Sequence, residues 1–471
     1  MTILIMLLVG TLVLSVASTF TASSKVWQAS WMEITTGSEP VGRATHSAVW
    51  DSQSNQMIVF GGHYTSSLGS SGIGLKDTWM YNSENKIWTQ GANAPMTRGE
   101  HTAVWDTDGN QMIIHGGESV YGSYQYYQDT WVYSPTTDTW TQKANGPCVR
   151  AWAPGVWDPT HAQMIIFGGY YRPSNNGLRD TWVYVPTTDT WTAKADGPAA
   201  RWAHMAVWDT QNNEMLIFGG VSQSGWFTDT WAYNPAQDQW DQRADMPSIL
   251  AQASAVWNPI DDVVVVFGGE HLEGSSNVPT DETWIYDPSL DVWTVLDPDP
   301  HPYPTGWLQA VHVWDTETHQ MLVFGGVEET APNHYTNKLW SLTLGVAPIT
   351  VSINIEPRTL NIFSCGNWIT TYIELPEGYD VNNIDVSTIM LNDTISAELY
   401  PTEVGDYDSD GVPDLMVKFS RAEVINYIQN AIPLESKFVE ATLTITGSIT
   451  DGPSFIGTDV IKAIWKDPKM H

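Results

Sequence analysis

The feature that most constrains this chain is a pattern of about 50 residues that occurs six times in succession. In the first copy it comprises His46–Asp51, Gln56–Gly62, Asp77–Tyr81 and Ile87–Thr89. Short β-branched runs that end at turn residues or at Gly-Gly indicate strands. A sheet of four short strands cannot bury both of its faces alone, whereas copies packed radially around an axis can. The repeat therefore predicts an all-β, six-bladed β-propeller.

Tryptophan marks the repeat, and the chain contains 25 of them. The first Trp of each copy recurs at intervals of 49 to 57 residues, as Trp50, Trp105, Trp157, Trp208, Trp257 and Trp314. The sixth copy stops after Leu344 without the fourth segment and its Trp, but a matching segment with Trp31 precedes the first copy. We therefore predict that an N-terminal strand completes blade six, which would protect exposed sheet edges.

The repeat resembles the kelch family across about residues 27–345. The residues that carry the resemblance are the Gly-Gly of segment two, as at Gly61, the Tyr of segment three, as at Tyr81, and the Trp of segment four, as at Trp88. Copy six has Leu342 in place of the Tyr, and copies five and six lack an Arg before segment one. The resemblance implies a propeller of six or seven blades but no single function.

After the repeat, residues 346–348 form a predicted linker, and residues 349–471 a predicted β-sandwich with one helix over Arg421–Asn430. This domain contains an acidic loop that runs from Asp406 to Asp414. It resembles the DxDxDGxxD calcium loops of extracellular repeats and dockerin-like modules. Alternate carboxylates suit Ca²⁺. The predicted ligands are Asp406, Asp408, Asp410, the Val412 carbonyl and Asp414. An acidic turn without metal is the alternative, and no organic cofactor is predicted.

Charge and the N-terminus bound the location and the partners. The formal net charge is −33, with 20 Lys plus Arg, so neither nucleic acid nor an anionic membrane surface is an expected partner. Residues 1–22 contain an apolar run that predicts a signal peptide or, alternatively, a retained membrane anchor. We therefore expect a secreted or cell-surface protein. Two cysteines, Cys148 and Cys365, do not form a disulfide framework.

Candidate ligand-binding residues lie in two sets of loops that a propeller would gather on one face. The loops before segment one repeat an Arg and a His, and the loops between segments two and three vary and are aromatic. The candidates are Arg43, Arg98, Arg150, Arg201, His46, His101, His204, Tyr121, Tyr171 and Trp226. The alternative is that each repeated Arg pairs with an acid of a neighbouring blade, that each His bonds a backbone carbonyl, and that several aromatic side chains only stabilise the loops.

The sequence favours a binding or adhesion protein whose propeller face takes a glycan or an extracellular protein, and it identifies no reaction. An extracellular carbohydrate-active enzyme and a surface-layer or matrix component are the alternatives. Some kelch-like propellers carry copper oxidase chemistry through a Cys–Tyr cross-link. Here Cys148 lies in a loop before the third copy without a matching Tyr-His arrangement. The chain is therefore expected not to be an enzyme.

Overall fold

The computed structural model describes residues 27–64, 72–119, 125–273, 276–296, 307–328, 334–431, 438–450 and 452–464. The chain divides into two compact units, one spanning Gln28–Leu344 and one that includes Gly345 and the residues after it. The predicted signal or anchor segment (1–22) and Tyr121 lie outside the described residues.

The described part of the first unit contains six four-stranded sheets, which we call blades 1 to 6 in chain order. Strands one to three of every blade pair antiparallel, as alternation of short strands with tight turns requires. The four strands of blade 1 are Ser47–Asp51, Gln56–Phe60, Thr78–Asn82 and Ile87–Gly91. Those of blade 2 are Thr102–Asp106, Gln111–His115, Thr130–Ser134 and Thr139–Lys143. Those of blade 3 are Gly155–Asp158, Gln163–Phe167, Thr181–Val185 and Thr190–Lys194. Those of blade 4 are Met205–Asp209, Glu214–Phe218, Thr230–Asn234 and Gln239–Arg243. Those of blade 5 are Ser254–Asn258, Val263–Phe267, Thr283–Asp287 and Val292–Leu296.

Blade 6 is built from both ends of the repeat array. Its first three strands are Val311–Asp315, Gln320–Phe324 and Leu339–Val346, and its fourth is the N-terminal strand Trp27–Ile34. Strand one of each blade packs against strand one of the next, and strand one of blade 6 packs against strand one of blade 1. The predicted all-β propeller, closed by an N-terminal strand, is confirmed.

Aromatic contacts join each blade to the one before it. The Trp of strand four packs on the last residue of strand two in the preceding blade, with ring centroids 4.6 to 5.3 Å apart. The pairs are Trp88–Phe324, Trp140–Phe60, Trp191–His115, Trp240–Phe167, Trp293–Phe218 and Trp31–Phe267. The repeated Trp is therefore explained by packing between blades.

The Gly-Gly that follows strand two allows two backbones to come together. Gly61 and Gly62 have φ of +69° and +87°, and the Gly62 amide donates to the Arg98 carbonyl of blade 2 at 2.8 Å. A Cβ on Gly61 would lie 2.4 Å from that carbonyl oxygen. Glycine is therefore required here both by the left-handed backbone and by the close approach.

The described part of the second unit contains two sheets and one helix. The first sheet has the order Ile349–Thr350, Ser454–Ile464, Phe438–Ile449, Ile384–Leu391 and Ile395–Ser396, with Thr359–Asn361 also pairing with Ser454–Ile464. The second has the order Ser352–Glu356, Trp368–Glu374, Asp414–Ser420 and Glu398–Gly405. The helix spans Arg421–Ala431.

Both sheets and the helix share one apolar core. It brings Ile373 and Val417 of the second sheet against Ile445 of the first and Val424 of the helix. The Ser420 hydroxyl accepts from the Glu423 amide at 3.5 Å, so Ser420 sits at the predicted cap position of the helix. The predicted sandwich with one helix is confirmed. Among the helices of the described residues, none is long and apolar enough to span a membrane.

Candidate functional site

Two sets of loops meet on one face of the propeller, which we call the loop face. In each blade, the loop before strand one forms a backbone bridge to the first residue of the hairpin that links strands two and three. In blade 2, the amides of Gly99 and Glu118 each donate to the carbonyl of the other at 2.9 Å. The other bridges join Ala44 to His63, Ala151 to Tyr170, Trp202 to Val221 and Ala251 to Glu270, and in blade 6 Leu308 pairs with Val327.

A ring of six residues surrounds the axis at the loop face, each five positions before the strand-one Trp. All six have a left-handed backbone, with φ between 54° and 58°. The amides of five of them donate to the carbonyl of the preceding residue in the set, from Glu100 to Thr45 at 2.9 Å through to Gln309 to Gln252 at 3.4 Å. We call this set the axial ring: Thr45, Glu100, Trp152, Ala203, Gln252 and Gln309.

A cavity of about 220 Å³ lies on the axis inside this ring. The axial ring lines it, together with residues at the start of strand one in five blades and His204 just before strand one in blade 4. Two positions before the strand-one Trp, five blades carry Ala or Gly, as at Ala48 and Gly155, whereas blade 6 carries His312. His312 is buried, and burial lowers its pKa to about 3, so the His312 imidazole is neutral at physiological pH. Sequence reasoning did not single out His312.

The four predicted arginines lie inside the blades. Arg43 is fully buried, and its terminal nitrogens donate to both oxygens of Asp77 at 2.8 Å and to the Gly61 carbonyl at 3.0 Å. Arg98, Arg150 and Arg201 repeat this arrangement with Asp129, Asp180 and Asp229. This corrects the prediction of an arginine set at the binding surface. Every guanidinium pairs with an acid, as the alternative expected, but the acid belongs to the same blade and not to a neighbouring one.

The blades without this Arg have also lost its partner. In blade 5, Leu250 takes the Arg position, and Glu282 stands where the other blades have Asp. Glu282 accepts from the Trp284 indole at 3.1 Å. In blade 6 the corresponding residues are Trp307 and Lys338. Blade 5 keeps a carboxylate, but Glu282 is exposed, and blade 6 has Lys338 at this position. Neither blade therefore buries this carboxylate without its cation, which would be costly.

The three predicted histidines pack between blades. His46 lies edge-on to Phe324, and His204 edge-on to Phe167, at 5.6 and 5.4 Å between ring centroids. Burial, followed by the charge of the neighbouring arginine, holds the pKa of both rings well below the usual value. His101 contacts the Ser47 hydroxyl through Nε2 at 2.7 Å. All three histidines line the axial cavity as neutral groups. The predicted histidines therefore lie in the wall of this cavity and not on the exposed surface of the loop face.

The hairpin aromatics divide into two groups. Tyr127 and Phe227 lie under the buried guanidinium groups of Arg98 and Arg201, at 4.2 and 4.0 Å from ring centroid to Cζ, and stabilise the loops. The candidates Tyr171 and Trp226 are half-buried in the hairpins of blades 3 and 4, together with Trp152 and Trp202 from the preceding loops. These four side chains give the loop face an accessible aromatic surface: Trp152, Tyr171, Trp202 and Trp226.

A pair of carboxyl groups lies beside the axial cavity, and sequence reasoning missed it. The backbone bridge of blade 2 holds Glu118 next to Glu100. Burial, followed by the charge of Glu118, raises the pKa of Glu100 well above its ordinary value, although Arg172 and the Trp152 indole oppose the rise. Burial also raises the pKa of Glu118, which hydrogen-bonds with Tyr126. Glu100 and Glu118 are 18 positions apart in the sequence, and the hydrogen-bonded pair Gln252 and Glu270 of blade 5 has the same spacing.

The acidic loop of the second unit brings its carboxylates together. Oxygens of Asp406, Asp408 and Asp414 lie within 4.8 Å of one another and could hold a metal ion. Asp406 accepts from the amides of Asp410 and Gly411, both at 3.1 Å. Asp414 is buried and accepts from the Tyr407 amide at 2.9 Å. Asp410 accepts from the Val412 amide at 2.8 Å, which keeps Val412 in the same turn.

Glu374 is an additional acidic group that the loop motif did not indicate. It ends the strand Trp368–Glu374 and lies directly opposite Asp414 in the antiparallel register. Its carboxylate forms a second group of oxygens within 4.8 Å together with Asp408 and Asp410. Burial and the charges of the loop aspartates raise the pKa of Glu374, and also that of Asp414. The two groups share Asp408.

The cysteines take no part in these sites. Cys148 and Cys365 are both free thiols. The Cys148 sulfur accepts from Arg150 at 3.4 Å, and burial raises the pKa of its thiol. A thiol with a raised pKa is a poor nucleophile at neutral pH.

Comparison with known families agrees with this architecture. Residues 14–148 match the KLHDC2/KLHL20/DRC7 Kelch-repeats domain, and residues 157–345 match the Attractin/LZTR1 beta-propeller. The propeller is similar to those of kelch-repeat proteins. The sequence prediction of a kelch-type fold is thus confirmed, while the matches extend no further than residue 345.

Two curated proteins illustrate the range of chains that are similar to this kelch propeller. Over 205 residues the chain is 24% identical to tRNA wybutosine-synthesizing protein 4 of Saccharomyces cerevisiae, which covers 42% of this chain and 28% of that protein. Over 187 residues it is 25% identical to Kelch domain-containing protein 1 of Mus musculus, which covers 37% of this chain and 40% of that protein. The chain therefore spans less than half the length of these relatives.

Proposed function

We propose that this chain is a secreted or cell-surface binding protein whose loop face holds a protein ligand. The observation that carries the proposal is that four half-buried aromatic side chains, Trp152, Tyr171, Trp202 and Trp226, lie in the loops of the loop face, and that Trp152 also lines the axial cavity. Tyr and Trp supply large contact areas with little loss of side-chain entropy, and they are enriched where proteins bind one another. A kelch-type propeller provides a rigid frame for such a surface.

The division of labour within the repeat supports this assignment. The repeated Trp, Arg and Gly residues form contacts between and within the blades, so their role is structural and they are not available for a ligand. The hairpin residues differ from blade to blade and are exposed to different degrees. Binding residues placed on variable loops over a rigid scaffold are the usual arrangement in proteins. A glycan is the second ligand class to test, since exposed aromatic rings also stack on sugars.

A photo-crosslinking experiment tests the location of the binding surface. Benzoylphenylalanine would replace Tyr171 or Trp226, and Asn85 as control, which is exposed in the turn between strands three and four of blade 1. This turn lies at the opposite ends of the strands from the hairpins. We expect the same partner to be captured from positions 171 and 226 but not from position 85. Equal capture from both faces would contradict the proposal.

A glycan and polysaccharide array, probed with the full chain, separates the two ligand classes and the enzymatic alternative. Binding to a protein without retention on the array supports the proposal as stated. Retention without turnover replaces the protein ligand by a glycan. Turnover of a bound sugar would overturn the assignment as a binding protein. N-terminal sequencing of the chain recovered from the medium tests secretion and cleavage of the apolar segment within residues 1–22.

We also infer that the acidic loop of the second unit binds Ca²⁺. The supporting observation is that its carboxylates form two groups around the shared Asp408, with Asp414 buried. Hard oxygen ligands of this number suit Ca²⁺, which takes six to eight of them in flexible geometry. Asp406, Asp408, Asp410 and Asp414 would hold the ion together with the Val412 carbonyl.

A further inference from the structure

The same polar clasp joins neighbouring blades at the seams from blades 1 and 2 to blades 4 and 5. Between blades 1 and 2, Asp138 of the turn before strand four accepts at 2.6 Å from the amide of Ala92, which follows strand four of blade 1. Asp138 also accepts from the Tyr133 hydroxyl of its own blade at 2.7 Å. Asp189, Asp238 and Asp291 form the same two bonds at the next three seams. Each clasp thus ties the end of one blade to the third strand of the next.

The seam between blades 6 and 1 lacks this clasp. Lys86 takes the position of the aspartate and has the same left-handed backbone, with φ of +59° against +52° at Asp138. An ammonium group cannot accept a hydrogen bond. The Tyr81 hydroxyl of blade 1 and the amide of Thr35, which follows the N-terminal strand of blade 6, therefore find no carboxylate at this turn.

An indole hydrogen bond is also missing from the seam between blades 6 and 1. In blade 2, the strand-four Trp140 donates to the Ala92 carbonyl at 3.0 Å and to the Thr78 hydroxyl at 3.3 Å, both in blade 1. Trp240 and Trp293 donate to the preceding blade in the same way. In the described part of the chain, the equivalent Trp88 Nε1 is buried without a partner, and Leu339 stands where blade 1 has Thr78. A buried donor without an acceptor weakens this seam.

The axial ring is open at the same seam. Its amide-to-carbonyl bonds join every other pair of neighbouring blades, but among the described residues no such bond runs from Thr45 of blade 1 to Gln309 of blade 6. What remains between these blades is mainly apolar packing, in which Trp88 lies on Phe324 with ring centroids 4.8 Å apart. The seam between blades 6 and 1 therefore lacks three polar links that other seams possess.

A buried carboxylate oxygen beside the seam adds to its polar deficit. In blades 1 to 3, a Gln at the start of strand two donates to the Asp that ends strand one, as Gln56 donates to Asp51 at 3.0 Å. In blade 6, Gln320 donates to the Thr343 hydroxyl instead, at 3.0 Å. Oδ2 of Asp315 is left buried without a partner among the described residues. The charge of Asp315 acts on Tyr81 of blade 1, so this oxygen lies close to the seam.

We propose that the propeller opens at the seam between blades 6 and 1 while its clasped seams stay closed, and that this opening parts the wall of the axial cavity. Thr45 and His46 line the cavity on one side of the seam, and Gln309 and His312 line it on the other. Proteins open locally where the fewest stabilising bonds must be broken. The inference goes beyond the proposed function, because it concerns the frame of the cavity and not the ligand of the loop face.

Amide hydrogen exchange of the full chain tests the proposal, because one kind of bond crosses five seams. The second glycine of each Gly-Gly donates to a carbonyl in the loop before strand one of the next blade, at 2.7 to 2.9 Å. The donors are Gly62, Gly117, Gly169 and Gly220 at the clasped seams, and Gly326 at the seam between blades 6 and 1.

We expect the Gly326 amide to exchange at least about tenfold faster than the other four, after correction for intrinsic rates. Mass spectrometry with electron-transfer fragmentation resolves the single amides. Opening of the whole propeller at once would give all five the same protection. Protection of Gly326 equal to or greater than that of the other four would therefore overturn the inference without requiring any variant.

Reciprocal variants test whether the missing clasp controls the opening. Lys86→Asp supplies a carboxylate at the position where the other blades have one, so the Gly326 amide should exchange at least about threefold more slowly. Lys86→Gln removes the charge without supplying the carboxylate and should exchange like the wild type. Asp138→Lys removes the clasp between blades 1 and 2 and should speed exchange at Gly62. Thermal unfolding checks that each variant is folded. An unchanged Gly326 rate in the folded Lys86→Asp variant would contradict the role given to the clasp.

Discussion

The guanidinium of Arg98 donates to both carboxylate oxygens of Asp129, at 2.8 and 2.9 Å, from a position that is almost completely buried. The same carboxylate accepts from the Trp131 indole, and Arg98 also donates to the Gly116 carbonyl. The Arg98 backbone carbonyl accepts from Gly62 of blade 1. Arg98 thus links the loop before strand one to the ends of strands two and three in blade 2, and also to the Gly-Gly of blade 1. These contacts explain why the Arg recurs in four copies.

Removing the guanidinium should destabilise the propeller strongly. Arg98→Met leaves the Asp129 carboxylate buried without its cation, and we expect the free energy of unfolding to fall by about 3 kcal/mol. Urea unfolding followed by tryptophan fluorescence measures the change. The matched control is Arg179→Met, because Arg179 and Asp196 form an ion pair at 3.5 Å in which both side chains are more than half exposed. That control should cost less than about 1 kcal/mol. Equal losses in the two variants would contradict the framework role.

The same ion pair predicts a dependence of stability on acid. Although burial acts to raise it, the hydrogen bonds and charge of Arg98 hold the pKa of Asp129 below the ordinary 3.8. A depressed carboxyl pKa contributes stability that is full above the unfolded pKa and is lost as the pH falls through the folded one. Wild-type stability should therefore fall below about pH 4 more steeply than that of Arg98→Met. Parallel curves for the two proteins in this range would disprove the assignment.

His115 is the residue that replaces Phe in the aromatic contacts between blades. This replacement leads us to predict a variant that is more stable than the wild type. Its ring packs on Trp191 at 4.6 Å where the five other blades use Phe, and Nε2 is buried without a hydrogen-bond partner in the described residues. Burial, followed by the charge of Arg150, lowers its pKa to about 3. Gly146 lies against His115 as Gly197 lies against Phe167, so the site has the shape of one that already holds Phe.

We therefore expect His115→Phe to raise the melting temperature. The change removes an unsatisfied buried nitrogen, which costs roughly 1 to 3 kcal/mol. The gain should grow as the pH falls below 6.5, because the unfolded histidine binds a proton there and the folded one does not. Differential scanning calorimetry at pH 7.5 and 5.5 measures both effects. Phe167→His provides the reverse substitution, and it should lower the melting temperature. A gain that is the same at both pH values would show that the histidine is not neutral in the folded state.

The blade framework was predictable from the sequence, and the axial ring was not. Trp50, Gly61 and Trp88 recur at fixed positions, so strand order and closure could be derived from their spacing. The left-handed backbone at Thr45 or Trp152 gives no such signal, because neither residue favours a positive φ. These conformations accompany the amide contacts that join successive blades, which bring together residues about 50 positions apart in the sequence.

The candidate site was predictable in part. The positions of Arg43 and His46 were apparent from the repeat, but their direction was not, because the partner Asp77 is 34 residues away. Glu100 and Glu118 could have been found from the constant separation of 18 residues that also joins Thr45 to His63. Glu374 could not, since its position opposite Asp414 depends on the register between two strands of the second unit.

The N-terminal strand should contribute to the stability of the closed propeller. The Trp31 ring packs on Phe267 with centroids 4.6 Å apart and supplies the aromatic contact between blades 5 and 6. Trp31→Ala should lower the free energy of unfolding by about 3 kcal/mol, the range for truncating a packed aromatic side chain. Trp31→Phe retains a ring and should cost less than half as much. Met32→Ala, at a side chain that is 52% exposed, is the control. A loss at Trp31 no larger than at Met32 would show that this strand does not hold the ring closed.

The proposed calcium site predicts that the melting temperature of the second unit depends on pH without the ion and no longer does so with it. Burial and the aspartate charges raise the pKa values of Glu374 and Asp414. A raised carboxyl pKa gives stability that is full below the unfolded value and is lost as the pH rises through the folded one. In EDTA, the second unit should therefore melt at a lower temperature at pH 7 than at pH 5. Ca²⁺ should remove this loss, because it neutralises the same carboxylates.

Two variants assign that effect to residues. Asp408→Ala removes the carboxylate that both groups share, so the melting temperature should no longer respond to Ca²⁺. Glu374→Gln should weaken the calcium response without abolishing it, because the loop carboxylates remain. Asp380→Asn, an exposed acidic side chain in the same unit, is the matched control and should respond like the wild type. Calorimetry of the full chain in EDTA and in Ca²⁺ provides the measurement. Identical melting of the wild type in both solutions would remove the calcium assignment, and an unchanged response in Glu374→Gln would confine the site to the loop.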